Sequence, residues 1–514
     1  MRAVSARAPR ERRRGTPTAR PLRDPSQLRH SRNPYGTARA LTDDEVAHIH
    51  ASALGALEAQ GIRVLLPEAR RLFAAAGAMV DDESLMVRLD RGLAGELLST
   101  APREFILHAR NPERSLRIGG DSVCFFPVGG PPYSSDHVRG RRAGSFADVV
   151  DFTRLTQRCD VLHSITPATE AQDVPLPERH LRVTHEALVD SDKPVHVFSR
   201  GRAVVADQME MIRVGYGIDR ETFESAPHTW TNINTNSPRQ LDVPMSLGII
   251  DLARAGQMVI MTPFTLAGAM APVTIAGALL LQHVEAVAAI CLSQIVRPGA
   301  PVVYGAFTSN VEMRSGSPAF GSPDAMRAAI ASGQLARHLG VPWRSQAASS
   351  SPTDDAQGAY ETMVSLMGAL LGGANVVMHA AGWQEGGLVA SYEKLVLDVD
   401  ALEIVAEGLR PVLVDDGELA LDALAEVMPG GHFFGAAHTM SRFETAFHEP
   451  TVFTRQTAGQ WQDAGGLDAA SRATRVWQQW LDEFEVPPMQ ADVRAGLDEF
   501  LERRIAEGGS PPES

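Results

Sequence analysis

Cysteine is scarce in this chain: Cys124, Cys159 and Cys291 are the only three in 514 residues. They stand far apart, without CxxC or HxC spacing, which excludes a disulfide framework and a Cys-rich zinc site and predicts three buried, inert thiols. No metal site is expected. Positive charge is in deficit too, with 48 Lys and Arg against 62 Asp and Glu and a formal net charge of −14. A polyanion such as nucleic acid is therefore a poor partner. Apolar runs of roughly 18 residues, the length that suggests a membrane span, are missing. The most apolar stretch, Ala267 to Ile290, is broken by Gln282, His283 and Glu285. No apolar h-region accompanies the N-terminal arginines, which excludes a secretory signal, so a cytoplasmic protein without membrane partners is expected.

What is present divides the chain into zones. In residues 1–40 the many arginines are opposed only by Glu11 and Asp24, the composition of a disordered basic tail. Residues 41–121 read as a helical/β subdomain. Thr42 is placed to cap a helix whose third residue is Glu45, further helices are expected over 67–76 and 91–99, and short strands over 105–109 and 115–118. From 122 to 410 short β-branched or aromatic runs alternate with helix-length segments. The runs are 122–126, 161–165, 194–198, 229–233, 258–261, 301–304, 341–345 and 375–379; the helices are 146–158, 177–190, 203–216, 241–255, 272–296, 323–339, 354–371 and 392–409. Eight such units predict an α/β fold, a (βα)8 TIM barrel. An open doubly wound sheet would alternate in the same way, but no GxGxxG or GxxxxGK follows any of the strands. Residues 411–506 read as a helical extension packed on the barrel, with Trp477 and Trp480 in a helix over 469–484. Residues 507–514 are expected to fray.

Polar and glycine-rich segments lie just after the strands, where a barrel keeps its active-site loops. Several of them, in order, resemble the trimethylamine methyltransferase family, including its members without pyrrolysine that act on glycine betaine and similar quaternary amines. The segments are Gly129-Gly130-Pro131-Pro132-Tyr133, 232–238 (NINTNSP), 262–269 (TPFTLAGA), 271–274 (APVT), 297–305 (RPGAPVVYG), 316–321 (GSPAFG), 355–357 (DAQ) and 382–388 (GWQEGGL). The resemblance spans about residues 41–490. It implies a barrel enzyme that moves an N-methyl group to the cobalt of a separate corrinoid carrier protein. Cobalamin would then be supplied by that partner, with no cofactor held tightly by this chain, and a homo-oligomer is expected. Trimethylamine-specific members carry pyrrolysine in the region aligned near 341–351. Only standard residues stand there in this chain, which favours a quaternary amine over trimethylamine.

A quaternary ammonium has no N–H to donate, so aromatic faces with a carboxylate nearby suit it, while any carboxylate on the substrate calls for Arg, amide or hydroxyl donors. Candidate substrate-binding residues are Tyr133, Phe264, Phe307, Trp383 and, for a carboxylate, Arg344. Trp230, Tyr304, Trp343 and Phe434 are weaker aromatic candidates, since Trp230 and Trp343 lie inside strands and could face the outer helices. Glu385 is the candidate counter-charge to the cation. His379 stands at a strand end, and Asn234 belongs to an alternation of Asn232, Asn234 and Asn236 that would share one face of an extended strand. Against each stands a plain packing or capping role. The competing functions are trimethylamine demethylation, a hydrolase or lyase on the same fold, for which no His/Asp/Glu cluster speaks, and a non-catalytic betaine-binding subunit.

Overall fold

The computed structural model describes residues 28–513; most of the segment read as a basic tail lies outside them. The architecture is mixed α/β around a curled eight-stranded sheet. Its strands are β1 (Ser31–Arg32), β2 (Ser122–Phe125), β3 (Val195–His196), β4 (Thr229–Ile233), β5 (Met258–Met261), β6 (Val302–Gly305), β7 (Trp343–Gln346) and β8 (Val376–Met378), in the order β1-β2-β8-β7-β6-β5-β4-β3. All neighbours run parallel except β1, which pairs antiparallel with β2. Around the sheet lie α1 (Phe146–Arg158), α2 (Leu176–Val189), α3 (Arg202–Gly215), α4 (Val243–Arg254), α5 (Ile275–Val296), α6 (Pro323–Leu339), α7 (Ala356–Leu371) and α8 (Tyr392–Gly408).

The run 161–165, expected as a strand, forms only one parallel bridge, Ile165 with Val195. It nevertheless joins β2 to β3: His163 N–H donates to Phe125 O at 2.8 Å and Ile165 N–H to Pro194 O at 2.9 Å. Proline has no N–H to return to the ladder. Side chains take over instead, with Phe125 N–H donating to His163 Nδ1 at 2.9 Å and Ser164 Oγ to Pro194 O at 2.8 Å.

Side chains on a strand point alternately to its two faces, and here the two faces meet different cores. Phe126, Trp230, Met258, Ile260, Val303, Val376 and Met378 form one cluster inside the curl. The hairpin of Glu104–Leu107 with Leu116–Gly119 adds Leu107, Leu116 and Ile118 to it. His108 N–H donates to Pro227 O, just ahead of β4, so this hairpin fills the end where the strands begin. The opposite faces pack on the helices. Trp343 lies against Gly333 and Gly372, where an added Cβ would meet the ring at 3.0 and 2.6 Å. Tyr304 Oη sits 2.9 Å from both Gln282 Nε2 and His283 Nδ1 of α5.

Helix α5 is long and apolar enough to cross a membrane. Here it is a core helix, since Asp43–Ala59, Pro67–Ala75 and Arg91–Ser99 cover the side turned away from the sheet. A helix apolar all round is a buried one. Thr42 and Glu45 form the expected capping box. All three cysteines are free and buried, and burial pushes the thiols of Cys124 and Cys291 up to about 12.

Two terminal expectations are corrected. Residues 28–40 are held against the body: Leu28 is buried, Ser31–Arg32 is a strand, and Arg29 bonds Asp160 at 3.1 Å and Glu407 at 3.3 Å. At the other end Ser510 is buried, its N–H donating to Pro177 O and its hydroxyl to Asp207, and Glu513 N–H donates to Arg200 O. Specific polar anchors hold both segments, which composition alone does not show. Helices Ala469–Asp482 and Ala491–Ala506 pack on α8 and on α2 and α3 respectively, burying Trp477 and Trp480.

His163 must be neutral to accept from Phe125, and burial pushes its pKa from 6.5 down to about 4. Below pH 6.5 the unfolded chain takes up a proton that the folded ring refuses, so this contribution to stability is lost as pH falls. His163→Asn has no such contribution. In urea unfolding the stability gap between wild type and His163→Asn should therefore narrow by about 2 kcal/mol from pH 7 to pH 5; a constant gap would show that the ring is not held neutral.

Candidate active site

Past the interior cluster, where the strands end, the curl opens into a cavity of about 460 Å³. Its floor is Trp230, whose ring packs on Phe126 at 4.8 Å and His196 at 4.6 Å and whose Nε1 donates to Ser164 Oγ at 2.8 Å. Trp230 thus faces inward, while Trp343, one of the other weaker candidates, faces the helices. Period two separates them: Trp230 sits two residues before inward-facing Asn232, whereas Trp343 sits one residue before inward-facing Arg344.

One wall is aromatic. Phe307 stands at its centre, 5.0 Å from Phe264, 4.9 Å from Phe320 and 6.0 Å from Trp383, centroid to centroid. His379 leans on Trp383 at 3.9 Å. Its backbone is left-handed, φ 55°, a strained state for a non-glycine residue that the surrounding packing must impose. Trp383 is held from behind by Gly387, φ 104°, where an added Cβ would lie 2.3 Å from the indole.

Arg344, on the inward face of β7, is 1% exposed and its Cζ lies 5.1 Å from the Phe307 ring centre. Nη1 donates to Ala306 O at 3.0 Å, while Nε has no partner and no carboxylate pairs with the guanidinium among the described residues. Burial pushes its pKa down to about 9. Three more buried ring nitrogens around the cavity lack partners: His196 Nδ1, His379 Nδ1 and Trp383 Nε1. Burial drives both imidazoles to the neutral form, His196 to about 3 and His379 well below the usual range, the latter helped by the charge of Arg344. Among the described residues no Asp or Glu lines the cavity, and the other lining cation, Arg200, is paired with Glu170.

Asn234 and Asn232 line the cavity and bond each other, and Thr262 Oγ1 donates to Asn232 at 2.7 Å. Asn236 does not join them, because β4 ends at Ile233 and the amide turns to Asp242 at 3.1 Å. Glu385 does not line the cavity; its carboxylate accepts from Arg141 Nε at 2.9 Å. The same guanidinium lies 3.8 Å over Tyr133, so that ring already faces a cation of its own chain. These two residues form a clasp beside the mouth, since a half-exposed glutamate finds the nearest arginine. The serine-rich loop after β7 is pinned, with Ser349 Oγ and the Ser350 and Ser351 N–H groups donating to Glu361 at 2.8 Å. Sequence reasoning missed His196, Phe198 and Arg200, whose inward register follows from β3 only once its pairing is known.

Among the described residues one group has possible metal ligands within 4.8 Å of one another, His137, Asp354 and Glu393. Internal bonds engage it: His137 Nε2 lies 3.1 Å from Asp354 Oδ1, and Glu393 Oε1 accepts from Thr474 and Trp477.

The family model for trimethylamine methyltransferase (MTTB) matches residues 5–509. The chain is similar to the glycine betaine methyltransferase of Desulfitobacterium hafniense strain Y51, at 34% identity over 91% of this chain and 98% of that protein. It is also similar to the trimethylamine methyltransferase MttB of D. hafniense strain DCB-2, at 28% identity over 92% of this chain and 95% of that one. Among solved structures, the Methanosarcina barkeri monomethylamine methyltransferase (MtmB) aligns with a TM-score of 0.48 and 10% identity, over 85% of this chain and 92% of that chain. With a family model spanning nearly its whole length and relatives matched end to end, this chain belongs to the trimethylamine methyltransferase family.

Proposed function

We propose that this chain removes a methyl group from a betaine, a quaternary amine that also carries a carboxylate, and passes it to the cobalt of a partner corrinoid protein docked over the strand ends. The fold would then be a closed (βα)8 barrel, with 161–165 as its second strand. One observation carries the choice of substrate: the cavity offers aromatic faces and a buried, unpaired Arg344, and no acid. An uncompensated buried cation is costly, and a substrate carboxylate supplies the missing counter-charge in bidentate geometry. The ammonium end then lies against Phe264, Phe307 and Trp383, each cation–π contact contributing about 0.5–2 kcal/mol. Trimethylamine in its protonated form would bring a second positive charge with no acid to meet it. The 34% identical relative bears the name glycine betaine methyltransferase, which supports the same reading.

The Co(I) of the partner supplies the nucleophilic electron pair. The N–CH3 electron pair stays on nitrogen, so the leaving tertiary amine is neutral and needs no proton. Neutral His379 and His196 suit such a site, since neither has to act as an acid. What this chain contributes is placement: Arg344 orients the carboxylate, the aromatic wall excludes water, and one methyl is left facing the open end.

With a Co(I) corrinoid carrier, the protein should convert glycine betaine to dimethylglycine, read by loss of the Co(I) absorbance and by product analysis. Failure across a panel of betaines with competent carriers would sink the enzyme reading, and binding without turnover would leave a betaine-binding subunit. Arg344→Met should raise KM for a betaine by roughly 30- to 1,000-fold, the effect of truncating one side of a buried charge pair, while thermal stability holds or rises because an unpaired charge has gone. A Gly387→Ala chain, its new Cβ driven into Trp383, should lose about 10-fold or more in betaine affinity by calorimetry; unchanged binding would remove Trp383 from the site.

A further inference from the structure

Between the end of α8 and Thr451 the chain leaves the body. Both ends of this excursion are anchored. Leu409 is buried at one, and at the other Val452 is buried and the N–H groups of Thr451, Val452 and Phe453 donate to the Asp400 carboxylate. In between, twelve large apolar side chains are exposed, among them Val412 at 89%, Met428 at 77%, Phe434 at 82% and Phe447 at 83%. Together they leave on the order of 1,000 Å² of apolar surface in water, beyond the few hundred Å² that a monomer usually shows. A second unsatisfied surface lies on the barrel helices. A mainly apolar groove of about 580 Å³ runs between α7, α8 and the start of the helix Ala469–Asp482, lined by Met363, Leu397, Ile404 and Phe453 together with acids such as Asp355 and Asp468, and Tyr360 and Met367 of α7 are exposed beside it.

We propose that residues 411–450 are an exchange arm that covers the α7–α8 groove of a second copy of this chain. Each copy carries one protruding and one concave apolar surface, and reciprocal exchange about a two-fold axis satisfies both at once. The area matches the roughly 800 Å² per partner of a stable interface, and its apolar character is that of a permanent one. A methyl acceptor that departs after every transfer would re-expose the arm in each cycle, so it is the less suitable cover.

Light scattering of the full chain at micromolar concentration tests this. Wild type should have at least twice the 55.3 kDa chain mass. The pair Phe434→Asp with Phe447→Asp on the arm, and separately Ile404→Asp in the groove, should each give monomers with unchanged far-UV circular dichroism. Should an Asp variant fail to fold, the Ser versions at the same positions take its place. A monomeric wild type, or a folded variant of either surface that keeps the wild-type mass, overturns the proposal. So does an arm variant that keeps its mass but no longer methylates the carrier, since the arm would then be the carrier's dock.

Discussion

The alternation of side chains along parallel strands is the constraint on which the rest of this molecule depends. Once Trp230, Met258, Ile260, Val303 and Val376 fill the inside of the curl, every residue two positions farther along is committed inward as well. Asn232, Arg344 and His196 thereby face the same space, although they come from three different strands and their polar groups would favour water. A fixed register converts a packing requirement into a chemical site.

Electrostatics then follow from position. Arg344 is cationic where almost no water reaches, beside aromatic rings and two imidazoles that burial keeps neutral. In bulk solvent this collection would have little preference between an amine and a betaine. In a low-dielectric cavity lined by no acid among the described residues, a lone cation would meet an unbalanced positive charge, whereas a zwitterion would bring its own counter-charge. The acids that the sequence places nearby are engaged elsewhere, Glu385 with Arg141 and Glu170 with Arg200. Those pairs shape the mouth rather than the charge within.

Most of the sheet strands and long helices from β2 to α8 lie within a few residues of where the alternation of short apolar runs and helix-length segments places them, since periodicity is a local property. The run 161–165 was legible as a sheet member but not in its manner of joining, which rests on Pro194 lacking an N–H and on a histidine ring filling in. Basic and Gly/Pro-rich terminal stretches read as loose, yet 28–40 and 507–513 are tied down by a few buried bonds that no average composition reveals.

The sequence by itself determined the family, the alternating architecture, the aromatic and arginine residues at the strand ends, and the wide separation of the three cysteines, because these are carried by local pattern and residue type. Only the tertiary structure decided that Phe264, Phe307, Trp383 and Arg344 share one cavity, that Trp230 faces into it and Trp343 away, and that Glu385 and Tyr133 are taken by Arg141. The physical reason is that facing and pairing depend on strand register and on which charges meet through space, and neither is a property of any single stretch of chain.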